Sequence, residues 1–132
     1  MEIVEKIKIG LKREASDSVT EKNTAIAMKS GTLPVYATPA MTALMEQVAS
    51  QLAQEYLPEG WTSVGISISV AHISASPIGM KVHAEAEITA VDGRKISYKV
   101  TAFDESGEIG KGTHERFVVD EAKFMQKAAG KK

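Results

Sequence analysis

The chain has 132 residues, of which 43% are hydrophobic and 25% charged, and its formal net charge at pH 7 is −1. A chain of this length suits one domain with a core of its own, and we expect a single domain over residues 1–132. The composition is that of an ordinary globular protein, while the near-neutral charge leaves no field to hold a nucleic acid by its phosphates. Since the chain has no cysteine, disulfides and a thiol nucleophile are excluded.

The histidine spacing and the apolar runs of the chain argue against a zinc site, a secretory signal and a membrane span. The three histidines lack the close spacing of a zinc site, so we expect no metal. Residues 1–10 contain no apolar core of a secretory signal, and no apolar run reaches the roughly eighteen residues that span a bilayer. We therefore expect a cytoplasmic protein without a nucleic-acid or membrane partner.

The first half of the chain predicts a strand, a loop and a long helix. Aliphatic and basic residues alternate within Ile3–Val19, which is typical of a half-buried strand, and the Gly and Pro within residues 20–34 indicate a loop that can wall a pocket. Thr38 followed by Pro39 predicts a helix start with Thr38 as the capping residue, and the helix should end near Leu57. Its apolar stripe is formed by Met41, Leu44, Met45, Val48, Leu52 and Tyr56.

After Trp61 the hydrophobic period changes from 3.6 to two, which predicts a long strand. Its inward set consists of Val64, Ile66, Ile68, Val70 and His72. A turn at residues 76–79 precedes a second alternating strand over residues 80–88.

The rest of the chain predicts a hairpin and two further strands. Asp92-Gly93 is a strong hairpin signal, whose usual turn has positive φ at both central residues. The third strand covers residues 95–102, the fourth ends at Val119, and the residues from Lys123 onward predict a frayed tail. The sum is an α+β fold in which four antiparallel strands form a meander, and the curled antiparallel β-sheet wraps around one long central helix.

Two side chains in this pattern are candidates for chemistry. His72 lies at the inward end of a strand, either as a core histidine bonded to a carbonyl or, with a free pKa of about 6.5, as a general acid or base. Glu46 lies on the helix flank among small neighbours that let a ligand approach, although a solvated glutamate is the default interpretation. Those neighbours are Thr42, Ala43, Ala49, Ser50 and Ala53.

Thr38, Gly65 and the histidines of the later strands have plain structural explanations as well. A hydroxyl at a helix N-terminus caps the helix and can also help to hold an anionic or carbonyl oxygen. Gly65 within a strand often marks the close approach of a ligand. For His114 and Arg116 we favour a solvated strand over a site, and we assign His83 to the surface.

Four segments together resemble the fluoroacetyl-CoA thioesterase family, and the likeness runs from about Pro34 to Phe124, with the Asp92-Gly93-Arg94 hairpin included. The four segments are Val35-Tyr36-Ala37-Thr38-Pro39, Leu44-Met45-Glu46, Val70-Ala71-His72 and Gly112-Thr113-His114-Glu115-Arg116. The resemblance implies a hotdog fold and a homodimer that pairs edge to edge. It also implies that Thr38, Glu46 and His72 are catalytic and that Gly65 lies in the active site.

The function implied by the resemblance is hydrolysis of an acyl-CoA to the free acid and CoA. Glu46 would attack the thioester or activate water, Thr38 would orient the carboxylate, and His72 would polarise the acyl group or protonate the thiolate. The fluoroacetyl-specific members carry phenylalanines in the lid before the helix, whereas residues 25–34 here contain none, so we expect a small or short-chain acyl group.

Coenzyme A enters only as part of the substrate, and we expect no other cofactor. Candidates for substrate binding are Gly65, Tyr36 beside the matched threonine, and Arg94 and Arg116 by their charge. Two alternatives stay open at this point. One is a non-catalytic acyl-CoA-binding hotdog module, and the other, less favoured, is an enoyl-CoA hydratase-type hotdog enzyme.

Overall fold

The computed structural model describes residues 3–132, so the first two residues of the predicted domain, Met1 and Glu2, lie outside it. Its elements in chain order are β1 (Lys12–Ser18), α1 (Thr38–Gln54), β2 (Trp61–His72), β3 (Lys81–Asp92), β4 (Lys95–Asp104), β5 (Gly107–Asp120) and α2 (Glu121–Ala129). The strands form one antiparallel sheet in the order β1-β3-β4-β5-β2. Because α1 packs against every strand of this sheet, the sheet must curl around the helix.

The core lies between α1 and the inner face of the sheet. The helix contributes the predicted stripe from Met41 to Leu52, all of it buried, while Tyr56 lies beyond the end of the helix. The matching buried residues of β3 and β4 are Val82, Ala84, Ala86, Ile88, Ile96, Tyr98, Val100 and Ala102. The alternation predicted for these two strands is therefore confirmed, and burial of each large apolar side chain contributes about 1.5–3 kcal/mol.

The first strand is shorter than predicted. Residues 3–10 form turns, which begin with a hydrogen bond from Ile7 N to Val4 O, and Gly10 has φ of +94°. Ile7 is buried in the core while Ile9 is 70% exposed. The prediction of a strand from residue 3 is wrong because these turns direct alternate side chains differently from a pleated strand.

β2 pairs with β5 rather than with its neighbour in sequence, from Trp61 opposite Asp120 to His72 opposite Gly110. β3 is already paired with β1 on one side and with β4 on the other. The predicted meander therefore holds for β3, β4 and β5 and is wrong for β2. Residues 73–80 form a crossover to the other side of the sheet instead of a hairpin turn.

A β-bulge interrupts β2. Its register with β5 shifts between Gly65 and Ser67, so Ile66 is the inserted residue and is 50% exposed. From Ile68 to His72 the strand keeps the predicted inward alternation, since Ile68 is paired with the buried His114.

Before the bulge the alternation of β2 is reversed. Ser63 is buried, and a β-carbon on Gly65 would point at Glu46 of α1. The prediction that Val64 and Ile66 face inward is wrong, because one inserted residue reverses a period of two.

The ends of α1 also differ from the prediction. Ala37, with φ of −76° and ψ of 142°, is the capping residue, and Thr38 is the first residue of the helix. The prediction of Thr38 as the cap is therefore wrong by one residue, while Pro39 keeps its favoured place in the first turn. The helix ends at Gln54 rather than near Leu57.

The predicted hairpin forms with a different turn, and the predicted tail is a helix. Asp92 pairs with Lys95, so the central residues are Gly93 and Arg94, and of these only Gly93 has positive φ, as in a type II′ turn. At the C-terminus, Asp120 caps α2 by accepting a hydrogen bond from the Lys123 amide, which replaces the predicted fraying. Within residues 3–132 neither helix is long and apolar enough to cross a membrane.

Candidate functional site

Thr38 and His72 meet where the N-terminus of α1 lies beside the end of β2. The Thr38 hydroxyl oxygen is 2.8 Å from Nδ1 of His72. Thr38 is exposed at the start of the helix, and His72 is half-buried. Because Thr38 is one residue past the cap, its hydroxyl does not hold a helix amide and is free for the imidazole.

This pair borders an open cleft of about 280 Å³. Its lining residues are Ala25, Ser30, Val35, Tyr36, Thr38, His72, Ile73, Ser74 and Ala75. The predicted pocket wall before the helix thus contributes Ala25 and Ser30. The ring of Tyr36 stands edge-on to that of His72, with 6.4 Å between the ring centroids.

Two buried polar atoms beside the cleft have no hydrogen-bond partner among residues 3–132, namely Nε2 of His72 and the hydroxyl of Tyr36. Burial lowers the pKa of His72 below its ordinary value, while the backbone at Ser74 acts in the opposite direction. Burial and the charge of Asp17 raise the pKa of Tyr36. Near pH 7 the site therefore holds a neutral imidazole and a protonated phenol.

A second group of polar side chains surrounds Gly65 in β2. A β-carbon on Gly65 would lie 3.0 Å from Oε2 of Glu46, 3.3 Å from Cε1 of His114 and 3.4 Å from Nη1 of Arg116. Gly65 itself is exposed. The glycine therefore keeps open a small space beside the Glu46 carboxylate, at the free edge of the sheet.

Arg116 is buried, with 7% of its surface exposed, and its guanidinium is held on several sides. Nε donates to the Ser63 hydroxyl at 2.8 Å, Nη2 donates to the Ser63 carbonyl at 3.0 Å, and Nη1 donates to Nε2 of His114 at 3.2 Å. Burial lowers the pKa of Arg116, while Tyr98 and Glu46 act in the opposite direction.

The prediction of a solvated strand at His114 and Arg116 is wrong. Both residues are buried on the inner face of β5. Their direction follows from alternation counted backward from the buried Val118, a signal that the polar character of the segment obscured.

The structure brings Thr38 together with His72 but does not bring Glu46 to them within one chain. Glu46 lies eight residues after Thr38 on α1, which is about 12 Å along the helix axis. On β2 the corresponding points, Gly65 and His72, are separated by about 20 Å of strand. Within the chain, Thr38 and His72 therefore form one group, while Glu46 and Gly65 form a second, separate group.

Arg94 and His83 lie away from both of these groups. The Arg94 guanidinium lies 4.7 Å from the ring centroid of Trp61, at the end of β2 opposite His72. His83 is on the outer face of β3, where its ring stacks on Phe103 at 4.8 Å and its Nε2 is 3.3 Å from a carboxylate oxygen of Glu85. The assignment of His83 to the surface is confirmed.

Comparison with known proteins identifies the family of the chain. The family described as fluoroacetyl-CoA-specific thioesterase matches residues 19–122 of the chain. The fluoroacetyl-CoA thioesterase of Streptantibioticus cattleyicolor is 42% identical over 97 residues, which cover 74% of this chain and 70% of that protein.

Solved structures extend the likeness to nearly the whole chain. A variant of the fluoroacetyl-CoA thioesterase FlK in complex with acetyl-CoA has a TM-score of 0.87 and 33% identity, over 95% of this chain and 98% of that one. A hot-dog-like protein from Thermanaerovibrio acidaminovorans has a TM-score of 0.90 and 25% identity, over 99% of this chain and 97% of that one. The predicted hotdog fold is therefore confirmed. The chain belongs to the family of fluoroacetyl-CoA-specific thioesterases and is a thioester hydrolase.

Proposed function

We propose that the protein hydrolyses a small or short-chain acyl-CoA to the free acid and CoA, with Thr38, Glu46 and His72 as the catalytic residues. The observation that carries this proposal is the 2.8 Å contact between Thr38 and His72 at the cleft. With Nδ1 in this contact, Nε2 of His72 is a buried nitrogen that has no hydrogen-bond partner within residues 3–132. A buried polar atom without a hydrogen-bond partner destabilises the folded protein, and a bound substrate can supply the missing hydrogen bond.

The active form is a homodimer whose site combines Thr38 and His72 of one protomer with Glu46 of the other. β2 is a twelve-residue edge strand, and its outer edge is unpaired within the described chain. The exposed side of α1 carries small or uncharged residues, among them Ala43 and Gln47. Antiparallel pairing of two β2 strands about a two-fold axis brings Glu46 of one protomer toward Thr38 and His72 of the other.

The roles of the three residues follow from their hydrogen bonds. With the Thr38 hydroxyl donating to Nδ1, His72 carries its proton on Nε2 and can polarise the thioester carbonyl. A neutral imidazole is a poor proton donor, so CoA leaves as its thiolate. The Glu46 carboxylate either attacks the carbonyl carbon, forming an anhydride that water then cleaves, or removes a proton from the attacking water.

The lining of the cleft supports a small acyl group. The cleft has a volume of about 280 Å³, and residues 25–34, which contribute Ala25 and Ser30 to its lining, contain no aromatic side chain. The exposed apolar residues of that segment are Ile26, Met28 and Leu33. FlK is named for fluoroacetyl-CoA and has been solved with acetyl-CoA, and both of these acyl groups are small.

Release of free thiol from a panel of acyl-CoAs tests the activity. The native chain and the surface control His83→Ala should release CoA, whereas Glu46→Ala and His72→Ala should lose at least about 10²-fold in kcat/KM. Equal rates in all of them would refute the assigned residues. No release with any thioester, together with measurable CoA binding, would favour the binding module instead.

Mixing two inactive variants tests the shared site. Glu46→Ala and His72→Ala chains, unfolded together and refolded, should regain about a quarter of the native activity, because half of the dimers are mixed and each mixed dimer holds one intact site. A mixture as inactive as its components would show that the three residues act within one chain. A single turnover in ¹⁸O-labelled water distinguishes the two modes of attack. Label in the Glu46 carboxylate would show an anhydride that water cleaves at the glutamyl carbon, whereas direct attack by water labels only the released acid.

A further inference from the structure

His114 is a buried histidine that the proposed reaction does not use. It is 1% exposed on the inner face of β5, and its ring stacks on Tyr98 of β4 with 5.7 Å between ring centroids. Its Nδ1 is 2.7 Å from the carbonyl oxygen of Ser67 in β2. A carbonyl only accepts, so Nδ1 carries the proton and Nε2 is an acceptor.

That acceptor faces the guanidinium of Arg116. Nη1 of Arg116 donates to Nε2 of His114 at 3.2 Å, while the rest of the guanidinium is held by Ser63. The same Nη1 approaches to 3.4 Å the point where a β-carbon on Gly65 would stand, and Oε2 of Glu46 approaches that point to 3.0 Å. His114 therefore binds the guanidinium nitrogen that, like the Glu46 carboxylate, lies next to Gly65.

We propose that His114 is a positioning residue for the hydrolytic reaction, acting through Arg116. Its neutral, Nδ1-protonated ring is anchored on the Ser67 carbonyl and holds Nη1 of Arg116 in place next to Gly65. The positive charge of Arg116 thereby keeps a fixed position relative to the Glu46 carboxylate, which stabilises one orientation of that carboxylate. The inference rests on the proposed function, in which Glu46 is the reacting carboxylate.

The charge of the ring decides whether this contact exists. Protonation would turn Nε2 into a donor that faces another donor, and would bring two cations together. The charged and titratable groups around the ring are Arg116 and Glu115 of β5, Glu46 of α1 and Tyr98 of β4. Burial is the largest influence and lowers the pKa of His114, which keeps the ring neutral near pH 7.

Two substitutions at His114 distinguish the effect of its hydrogen-bond acceptor from the effect of its ring shape. His114→Phe keeps a ring against Tyr98 but removes both nitrogens, and His114→Gln retains an amide oxygen that can accept from Arg116. We expect His114→Phe to lower kcat by about 10²-fold with KM changed less than about threefold, as for a small misplacement of a catalytic group. His114→Gln should recover most of the rate, and His83→Phe should leave it unchanged.

An NMR measurement tests the positioning without any activity. In the native chain the two Nη signals of Arg116 should be separate. In His114→Phe the Nη1 signal should shift because Nη1 loses its acceptor, whereas in His114→Gln it should stay near its native position. The native imidazole should show its proton on Nδ1. A proton on Nε2, or unchanged Arg116 signals and native kcat in His114→Phe, would overturn the proposal.

These measurements distinguish the two proposals. If the native chain hydrolyses no thioester, the proposed function fails, and the NMR signals of Arg116 still decide whether His114 positions it. If His114→Phe does not fold, the native tautomer and the rate and NMR signals of His114→Gln decide. If His114→Gln is as slow as Glu46→Ala and its Nη1 signal is shifted from the native position, the role of the acceptor is overturned.

Discussion

The Thr38 side chain bonds a histidine rather than a free amide of its helix. Thr38→Val keeps the shape of the side chain and removes this hydrogen bond, so we expect kcat/KM for thiol release to fall by about 10²-fold. Thr38→Ser keeps the hydroxyl and should retain most of the activity. Since Thr38 is exposed and does not cap α1, the midpoint of thermal unfolding should be unchanged in both variants. A large loss of stability in Thr38→Val would contradict this account.

Gly65 keeps a space beside the Glu46 carboxylate. The β-carbon of Gly65→Ala would press on Oε2 of Glu46 at 3.0 Å and on Cε1 of His114 at 3.3 Å, so we expect at least about tenfold lower kcat. The free energy of unfolding should change by less than about 1 kcal/mol, because Gly65 lies at an exposed edge and has no positive φ. Ser69→Ala, elsewhere on the same strand, is the matched control. An Ala variant with native kcat would show that this space is not used.

At the residue scale, alternation predicted His72 correctly and failed for its neighbours. Counting by two from Val70 placed His72 on the inner face, as observed, because the bulge at Ile66 lies before that stretch. Nothing in the side chains of β2 marks an inserted residue, so Val64 and Ile66 were assigned to the wrong face. The contacts of Arg116 with Ser63 and His114 join residues of two strands distant in sequence, which periodicity within one strand does not describe.

The turn that begins the cleft wall carries a strained residue. Lys29 has φ of +57°, in a turn closed by hydrogen bonds from Lys29 N to Ile26 O and from Ser30 N to Ala25 O. Glycine adopts this conformation without a side-chain clash, so Lys29→Gly should raise the free energy of unfolding by about 0.5–1 kcal/mol. Lys29→Ala removes the same charge and keeps the strain, and it should leave urea unfolding unchanged. Equal stabilisation by both variants would assign the effect to the lysine charge.

At the element scale, the sequence predicts an element and its buried face wherever one face of that element is uniformly apolar. α1, β3 and β4 were predicted with their correct faces because an aliphatic stripe at a regular period has one packing solution. The strand order could not be predicted in the same way, because the Asp92-Gly93 hairpin determines only that β3 pairs with β4. The placement of β2 beside β5 depends on which sheet edges are already occupied, and no local pattern records this.

The stability of the whole molecule should fall in mild acid. Burial lowers the pKa values of His72 and His114 below the ordinary 6.5, so the unfolded chain takes up protons first as the pH decreases. This contribution to stability is complete above about pH 6.5 and is lost as the pH falls toward the lowered values. Urea unfolding at about pH 7.5 and about pH 5.5 should show the lower free energy at the acidic pH.

A histidine variant tests whether protonation of His114 contributes to this loss of stability in acid. His114→Gln cannot take up a proton, so the difference in unfolding free energy between the two pH values should shrink relative to the native chain. His83→Gln, on the outer face of the sheet, should keep the native difference. A difference equal in all three proteins would place the acid sensitivity elsewhere.

The pairing of β2 with β5 sets when the site can exist during synthesis. Trp61, the first residue of β2, pairs with Asp120, the last residue of β5, so β2 has no partner strand within the chain until β5 has been made. Gly65 then pairs with Arg116, which follows it by 51 residues in the sequence. Since such long-range pairing also closes slowly, β2 keeps both edges open in the nascent chain until β5 has been made, and a chaperone can bind there.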